Sequence, residues 1–185
     1  MRLFFALDLP DALRTACAQL ADAIRSSFAE REIEVRWTSA EHYHLTVRFL
    51  GDCDASTAVE LRRALSHLDA PPAVVQPYGP GVLPSRLSPR VLTLAMEQTP
   101  SISALHRSVA SMVHDLEVQE EERSFRPHVT LGRFSDADPT EVHHALRETK
   151  AVELPTVEIS ALTLFESIRD NSGVRYDVVD DVTLT

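Results

Sequence analysis

At 185 residues, with 44% hydrophobic and 25% charged side chains, the chain has the make-up of an ordinary globular protein and the length for one full core or two small fused lobes. A net charge of −10 argues against a protein that coats nucleic acid non-specifically, and leaves room for a compact site that takes one phosphate group. There is no apolar run of about 18 residues, which argues against a membrane-spanning helix, and the short apolar start, closed by Asp8, is too brief for a secretory signal.

In chain order, residues 3–9 read as a buried strand, apolar at nearly every position. Pro10 fits a first helical position, and Leu13, Cys17, Leu20, Ile24 and Phe28 then recur at spacings of three and four, one apolar helix face. Residues 34–37 read as a short strand and 44–50 as another, ended by Gly51 and Asp52. Thr57 with Glu60 forms a candidate capping box for a helix that turns Leu61, Leu65 and Leu68 inward, closed by Pro71 and Pro72. A strand begins at Val74, and the Pro- and Gly-containing stretch 77–89 is the expected seam between two halves, roughly 1–80 and 81–185, of a single bilobal domain.

Beyond that seam the order recurs. A strand over 91–96 precedes a helix from Pro100 with Ile102, Leu105, Val109, Met112 and Leu116 inward. An acidic-then-basic loop over 120–126 leads to a strand from His128, and Asp138 with Pro139 caps a short helix ending near Arg147. Residues 157–165 and 174–179 read as a hairpin around Asp170, Asn171, Ser172 and Gly173. The expected fold class is α+β: two pseudo-symmetric lobes with largely antiparallel sheets around a central groove, helices outside.

Cys17 and Cys53 form no metal spacing and read as reduced, buried thiols, so the protein is placed in the cytoplasm. Lys150 is the only lysine; the other basic residues are arginines, whose planar donor fork suits phosphate oxygens, although a compositional bias of the source explains the count as well.

Two stretches 84 residues apart carry the chemistry: His44-Leu45-Thr46-Val47-Arg48-Phe49 and His128-Val129-Thr130-Leu131-Gly132-Arg133. Side chains alternate on a strand, so His and Thr share one face of each copy, while Leu45, Val47 and Phe49, or Val129 and Leu131, take the other. Two imidazoles facing one space suit a reaction that needs a base on one side and an acid on the other, such as hydrolysis of a cyclic phosphodiester. Thr46 and Thr130 then donate to the non-bridging phosphate oxygens, and the scheme requires no metal. A single His-x-Thr on a strand is usually only a strand; two copies in matching positions ask for more. Arg48 shares the parity of His44. Arg133 is turned away by strict alternation unless Gly132 introduces a bulge. His42 reads as a strand-edge residue, and His67, His106, His114, His143 and His144 as solvated helix positions. There is no phosphate-binding glycine loop and no nucleophile elbow.

These residues resemble the paired HxTx motifs of the two-histidine phosphoesterases, and within them the RNA 2',3'-cyclic phosphodiesterases, also called 2'-5' RNA ligases, of bacteria and archaea. Similar context lies in Arg2-Leu3-Phe4-Phe5-Ala6-Leu7, Trp37, Arg48-Phe49-Leu50-Gly51, Leu83-Pro84-Ser85, Pro89-Arg90-Val91-Leu92, Phe125-Arg126-Pro127 and Phe165-Glu166-Ser167. Val47 stands where the family often has leucine, and Gly132 where it often has alanine. The resemblance implies hydrolysis of RNA 2',3'-cyclic phosphate ends to 2'-phosphomonoesters, with His44 as proton donor and His128 as acceptor. It also makes Arg126 a substrate candidate beside Arg48 and Arg133. The partners expected are RNA ends or small cyclic nucleotides acting on a monomer, with no cofactor, no membrane and no obligatory protein partner. The competing readings are a 2'-5' ligase running the reverse reaction, and a nucleotide- or RNA-end-binding module without turnover.

Overall fold

A computed structural model describes residues 1–116, 118, 124–170 and 173–185. The loop expected over 120–126 and the tip of the last hairpin therefore lie partly outside the described residues. The strands are β1 (Arg2–Asp8), β2 (Val35–Trp37), β3 (His44–Asp52), β4 (Ala73–Val75), β5 (Pro77–Ser85), β6 (Ser88–Met96), β7 (His128–Phe134), β8 (Val157–Ile159), β9 (Ala161–Asp170) and β10 (Gly173–Thr183). The helices are α1 (Asp11–Ala29), α2 (Ala55–Leu65), α3 (Pro100–Asp115) and α4 (Pro139–Glu148).

The helices form where the apolar spacing puts them. Leu13, Cys17, Leu20, Ile24 and Phe28 of α1 are buried as one stripe, and burial pushes the Cys17 thiol up to about 12. In α3 the buried stripe is Ile102, Leu105, Val109 and Val113, with Met112 at its margin. Helix α2 starts earlier than a Thr57–Glu60 box requires: Asp54 is its cap, accepting from the Thr57 amide at 2.8 Å. Asp138 caps α4 as expected, accepting from the amides of Thr140 and Glu141.

Every strand pairing is antiparallel, in the order β10-β9-β1-β3-β7-β6-β5, with β2 also on β7 and a separate β4-β8 pair. The stretch 77–89, expected between the two halves, is built into the sheet. It forms β5 and the turn into β6, and its prolines are tolerated because β5 is the outermost strand. Strands and helices from the two halves of the sequence also pair with one another. Late strand β9 pairs with β1 and carries β10 on its outer edge, whereas early strand β2 pairs with β7. Helix α1 lies with α4, where Ser27 donates to the Ala145 carbonyl at 2.7 Å and Phe28 packs on Phe134. Helix α3 packs against β3 and β4. One buried cluster joins the helices to the sheet face carrying Leu45, Val47, Val129 and Leu131.

Two irregularities break the pleat at the same motif position. In β3, Phe5 pairs with Arg48 and Ala6 with Thr46, so Val47 is the extra residue of a bulge. In β7, Leu92 pairs with Gly132 and Thr93 with Thr130, so Leu131 is extra. Each bulge reverses the alternation beyond it. At Gly132 the partner strand comes very close: a Cβ there would meet Val35 Cγ1 at 2.5 Å and the Arg36 carbonyl oxygen at 3.1 Å. Gly132→Ala is therefore expected to destabilise the fold by about 1–3 kcal/mol in chemical denaturation. Val35→Ala in the same chain should recover most of that loss by vacating the space.

Candidate active site

The two His-x-Thr segments meet as neighbouring strands of one sheet. Leu45 pairs with Val129, after which the edge of β7 passes to β2, with Trp37 opposite Gly132. Extending that register by one residue on each side sets His44 across from Thr130 and Thr46 across from His128. The two histidines are then diagonal neighbours, about 7–8 Å apart at the backbone. All four side chains are half-buried on the face away from the helices.

Both imidazoles are held in the same way. His44 Nδ1 donates to the His42 carbonyl at 2.8 Å, and His128 Nδ1 donates to the Arg126 carbonyl at 2.7 Å. A carbonyl is only an acceptor, so it fixes the Nδ1–H tautomer and leaves the exchangeable proton or lone pair of chemistry at Nε2. Burial pulls the His44 pKa below the ordinary imidazole value, and the nearby His128 and His42 pull the same way. The bond to the His42 carbonyl and the charge of Asp8 oppose the shift.

The bulges sort the arginines. Arg133 pairs with Val91 two places beyond Thr130, so it returns to the His128 face and is exposed there. Arg48 goes the other way. Its partner is Phe5, a core residue, and its side chain is only 9% exposed, so parity misplaced it. Phe49 instead takes the His44 face, opposite Phe4, with the Arg2 guanidinium 5.0 Å from its ring centre. Arg126 donates to the Pro84 carbonyl at 3.0 Å, tying the segment that enters β7 to β5 while its own carbonyl holds His128.

A family model described as LigT-like phosphoesterase matches residues 7–93 and again 94–176, one copy per motif. The chain belongs to the LigT-like phosphoesterase family. Relatives named RNA 2',3'-cyclic phosphodiesterase include one from Aquifex aeolicus, 26% identical over 90% of each chain. Another, from Methanothermobacter thermautotrophicus, is 27% identical over 95% of each. Among solved structures, TT0787 of Thermus thermophilus superimposes with a TM-score of 0.82 at 21% identity, covering 100% of this chain and 98% of that one. E. coli LigT complexed with 3'-AMP follows with a TM-score of 0.71 at 26% identity and the same coverage.

Within this LigT-like site, alternation in the motifs could not reveal the contributions of β1, β2, β9 and β10. Phe4 packs at a tilt against His44, with centroids 5.1 Å apart, and Tyr176 lies edge-on to His44 at 5.0 Å. Thr93 pairs beside Thr130, and Thr163 beside Ala6, which in turn pairs with Thr46. Arg36 pairs with Arg133; like charges directly opposite repel, a cost that an anion between them removes. His42 belongs to a 3-10 turn (Ala40–His42), not a strand edge, and its ring packs on Tyr176 at 5.3 Å. His106 stacks on Phe125 at 4.1 Å, and the rings of His67 and His143 bond to carbonyls of their own helices. Among the described residues, no group of three or more His, Cys, Asp or Glu side chains is placed to hold a metal ion, and no helix is long and apolar enough to cross a membrane.

The direction of the His44 shift is testable by following ring protons of histidine in solution NMR. His44 should titrate below about 6.5, and inorganic phosphate or a nucleoside monophosphate should move its midpoint upward, because a nearby anion favours the imidazolium that burial disfavours. By linkage, the stability His44 contributes is complete above about pH 6.5 and is lost as pH falls through the folded midpoint. A His44 midpoint at or above 6.5 in the unliganded protein contradicts this reading.

Proposed function

We propose that the protein hydrolyses 2',3'-cyclic phosphate ends of RNA to 2'-phosphomonoesters, by acid-base catalysis between His44 and His128. The observation that carries the reading is the matched pair of imidazoles, each held as the Nδ1–H tautomer by the carbonyl two residues earlier, on adjacent strands of one groove. The names of the relatives support the choice of substrate.

His128 Nε2 takes a proton from water as the oxygen attacks phosphorus. The bond from phosphorus to the ribose 3'-oxygen breaks, and His44 Nε2–H delivers its proton to that oxygen. The assignment of donor and acceptor follows the family resemblance. Thr46 and Thr130 hydroxyls donate to the non-bridging oxygens, whose charge grows in the transition state, and Arg133 adds its guanidinium from the β7 side. The donor role demands a protonated His44, which its burial disfavours; the anionic substrate beside it restores the imidazolium. Free-enzyme and complex titrations therefore differ, with the alkaline limb of kcat lying at higher pH than that of kcat/KM.

The deciding experiment supplies an oligonucleotide ending in a 2',3'-cyclic phosphate and locates the phosphate in the product. A 2'-phosphate is expected, unaffected by chelators. His44→Ala and His128→Ala should each lower kcat by about 10²–10⁴-fold with folding intact. Turnover surviving both substitutions, or nucleotide binding without hydrolysis of any cyclic phosphate, overturns the proposal. Arg133→Ala should chiefly raise KM, by about tenfold for the loss of one charge-assisted phosphate contact.

A further inference from the structure

The two catalytic strands are near copies. Each carries His-x-Thr, a bulge at the following residue, and a carbonyl latch on Nδ1. The chemistry needs the two rings to differ, so what distinguishes them must come from outside these strands. Equivalent register positions are filled differently: Phe4 opposite Phe49 on the His44 side, Val91 opposite Arg133 on the His128 side. The His44 half is thus lined with rings where the other half carries aliphatic and cationic side chains.

Into the aromatic half β10 inserts Tyr176. Its ring lies 5.0 Å from His44 at 84°, 5.3 Å from His42 at 73°, and 5.3 Å from Phe4 at 76°. Phe4 is backed in turn by Phe165 at 5.4 Å, nearly parallel. His42 and His44 are the two ends of the hydrogen bond that sets the His44 tautomer. One tyrosine ring therefore touches both the imidazole and the residue whose carbonyl orients it.

We propose that Tyr176, backed by Phe4, is a positioning residue that clamps the His42–His44 pair and sets His44 apart from His128. The inference rests on the two-histidine hydrolysis reading for its consequence, and on ring geometry for its substance. Imidazole χ2 is a broad, two-fold torsion, so a ring held by one hydrogen bond still samples flipped and tilted states. Packing Tyr176 edge-on removes those states and keeps water from the Nδ1–H···O=C bond. The charged and titratable groups around His44 come from every side: Asp8 of β1, across from it in register and held by Arg14 of α1; His42 of the 3-10 turn; and His128 of β7. Arg133 of β7 and Arg169 of β9 face Tyr176 itself, while burial raises the phenol pKa above its ordinary value and keeps the hydroxyl protonated. The ring is accordingly the working part, and phenylalanine should replace it.

The test compares wild type with Tyr176→Phe, Tyr176→Leu and Tyr176→Ala, reading histidine NMR titrations alongside kcat and KM on the cyclic-phosphate oligonucleotide. Tyr176→Phe should stay within about twofold in kcat, whereas the Leu and Ala variants should lose about tenfold or more with KM within about threefold. In the same two variants the His44 midpoint should rise by about half a unit or more towards the solvated value, with that of His128 unmoved. Unchanged His44 titration in the Leu variant, or a Phe variant as impaired as Ala, overturns the proposal. So does a Leu variant that fails to fold, which makes Tyr176 a structural residue. If wild type turns over no cyclic phosphate, the hydrolysis reading falls alone, because the titrations still decide whether Tyr176 clamps His44.

Discussion

The molecule depends on a short antiparallel join within its large sheet, Leu45 with Val129, between strands that otherwise pair elsewhere. Beyond it β3 bonds to β1, while β7 bonds to β6 on one edge and β2 on the other. Because strand side chains alternate, the same join that buries Leu45 and Val129 against the helices must raise His44, Thr46, His128 and Thr130 on the other face. The core residues and the His-x-Thr side chains are two sides of one register, and a slip of one residue would exchange them.

The exchange of elements between halves protects that register. With β9 pairing β1 and β10 beyond it, β2 pairing β7, and α1 lying beside α4, each motif strand is held by elements from both halves of the sequence. Each motif strand is held on both edges, so the distance between the rings is set by backbone hydrogen bonds and not by loops. Side chains held on strands in this way keep a fixed spacing, which is what a site that works by proximity requires.

The site is built from equal strands and made unequal by what is packed against them. The bulges occupy the same motif position, yet one turns Phe49 and the other Arg133 onto the groove face. Rings gather around the imidazole that burial keeps neutral, and guanidiniums around the other half, with Arg36 opposite Arg133. The chain carries a net charge of −10, so any attraction it exerts on an anion has to act at short range.

By itself the sequence determined what short-range chemistry can encode. The amphipathic spacings of α1 and α3, the Asp138 cap, the two buried thiols, the α+β class and the shared face of His and Thr in each motif follow from side-chain type and a period of 3.6 or 2. Gly132 marked the place where alternation could fail. Tertiary structure alone decided the rest. Only the pairing of β1 with β3 showed that Arg48 sits with the core, and only the approach of β2 showed why Gly132 leaves no room for a Cβ. Likewise Tyr176 reaches His44 through a ladder between strands far apart in the chain. A bulge is a property of two strands, and a ring contact of two or three, so no reading of one strand at a time can contain them.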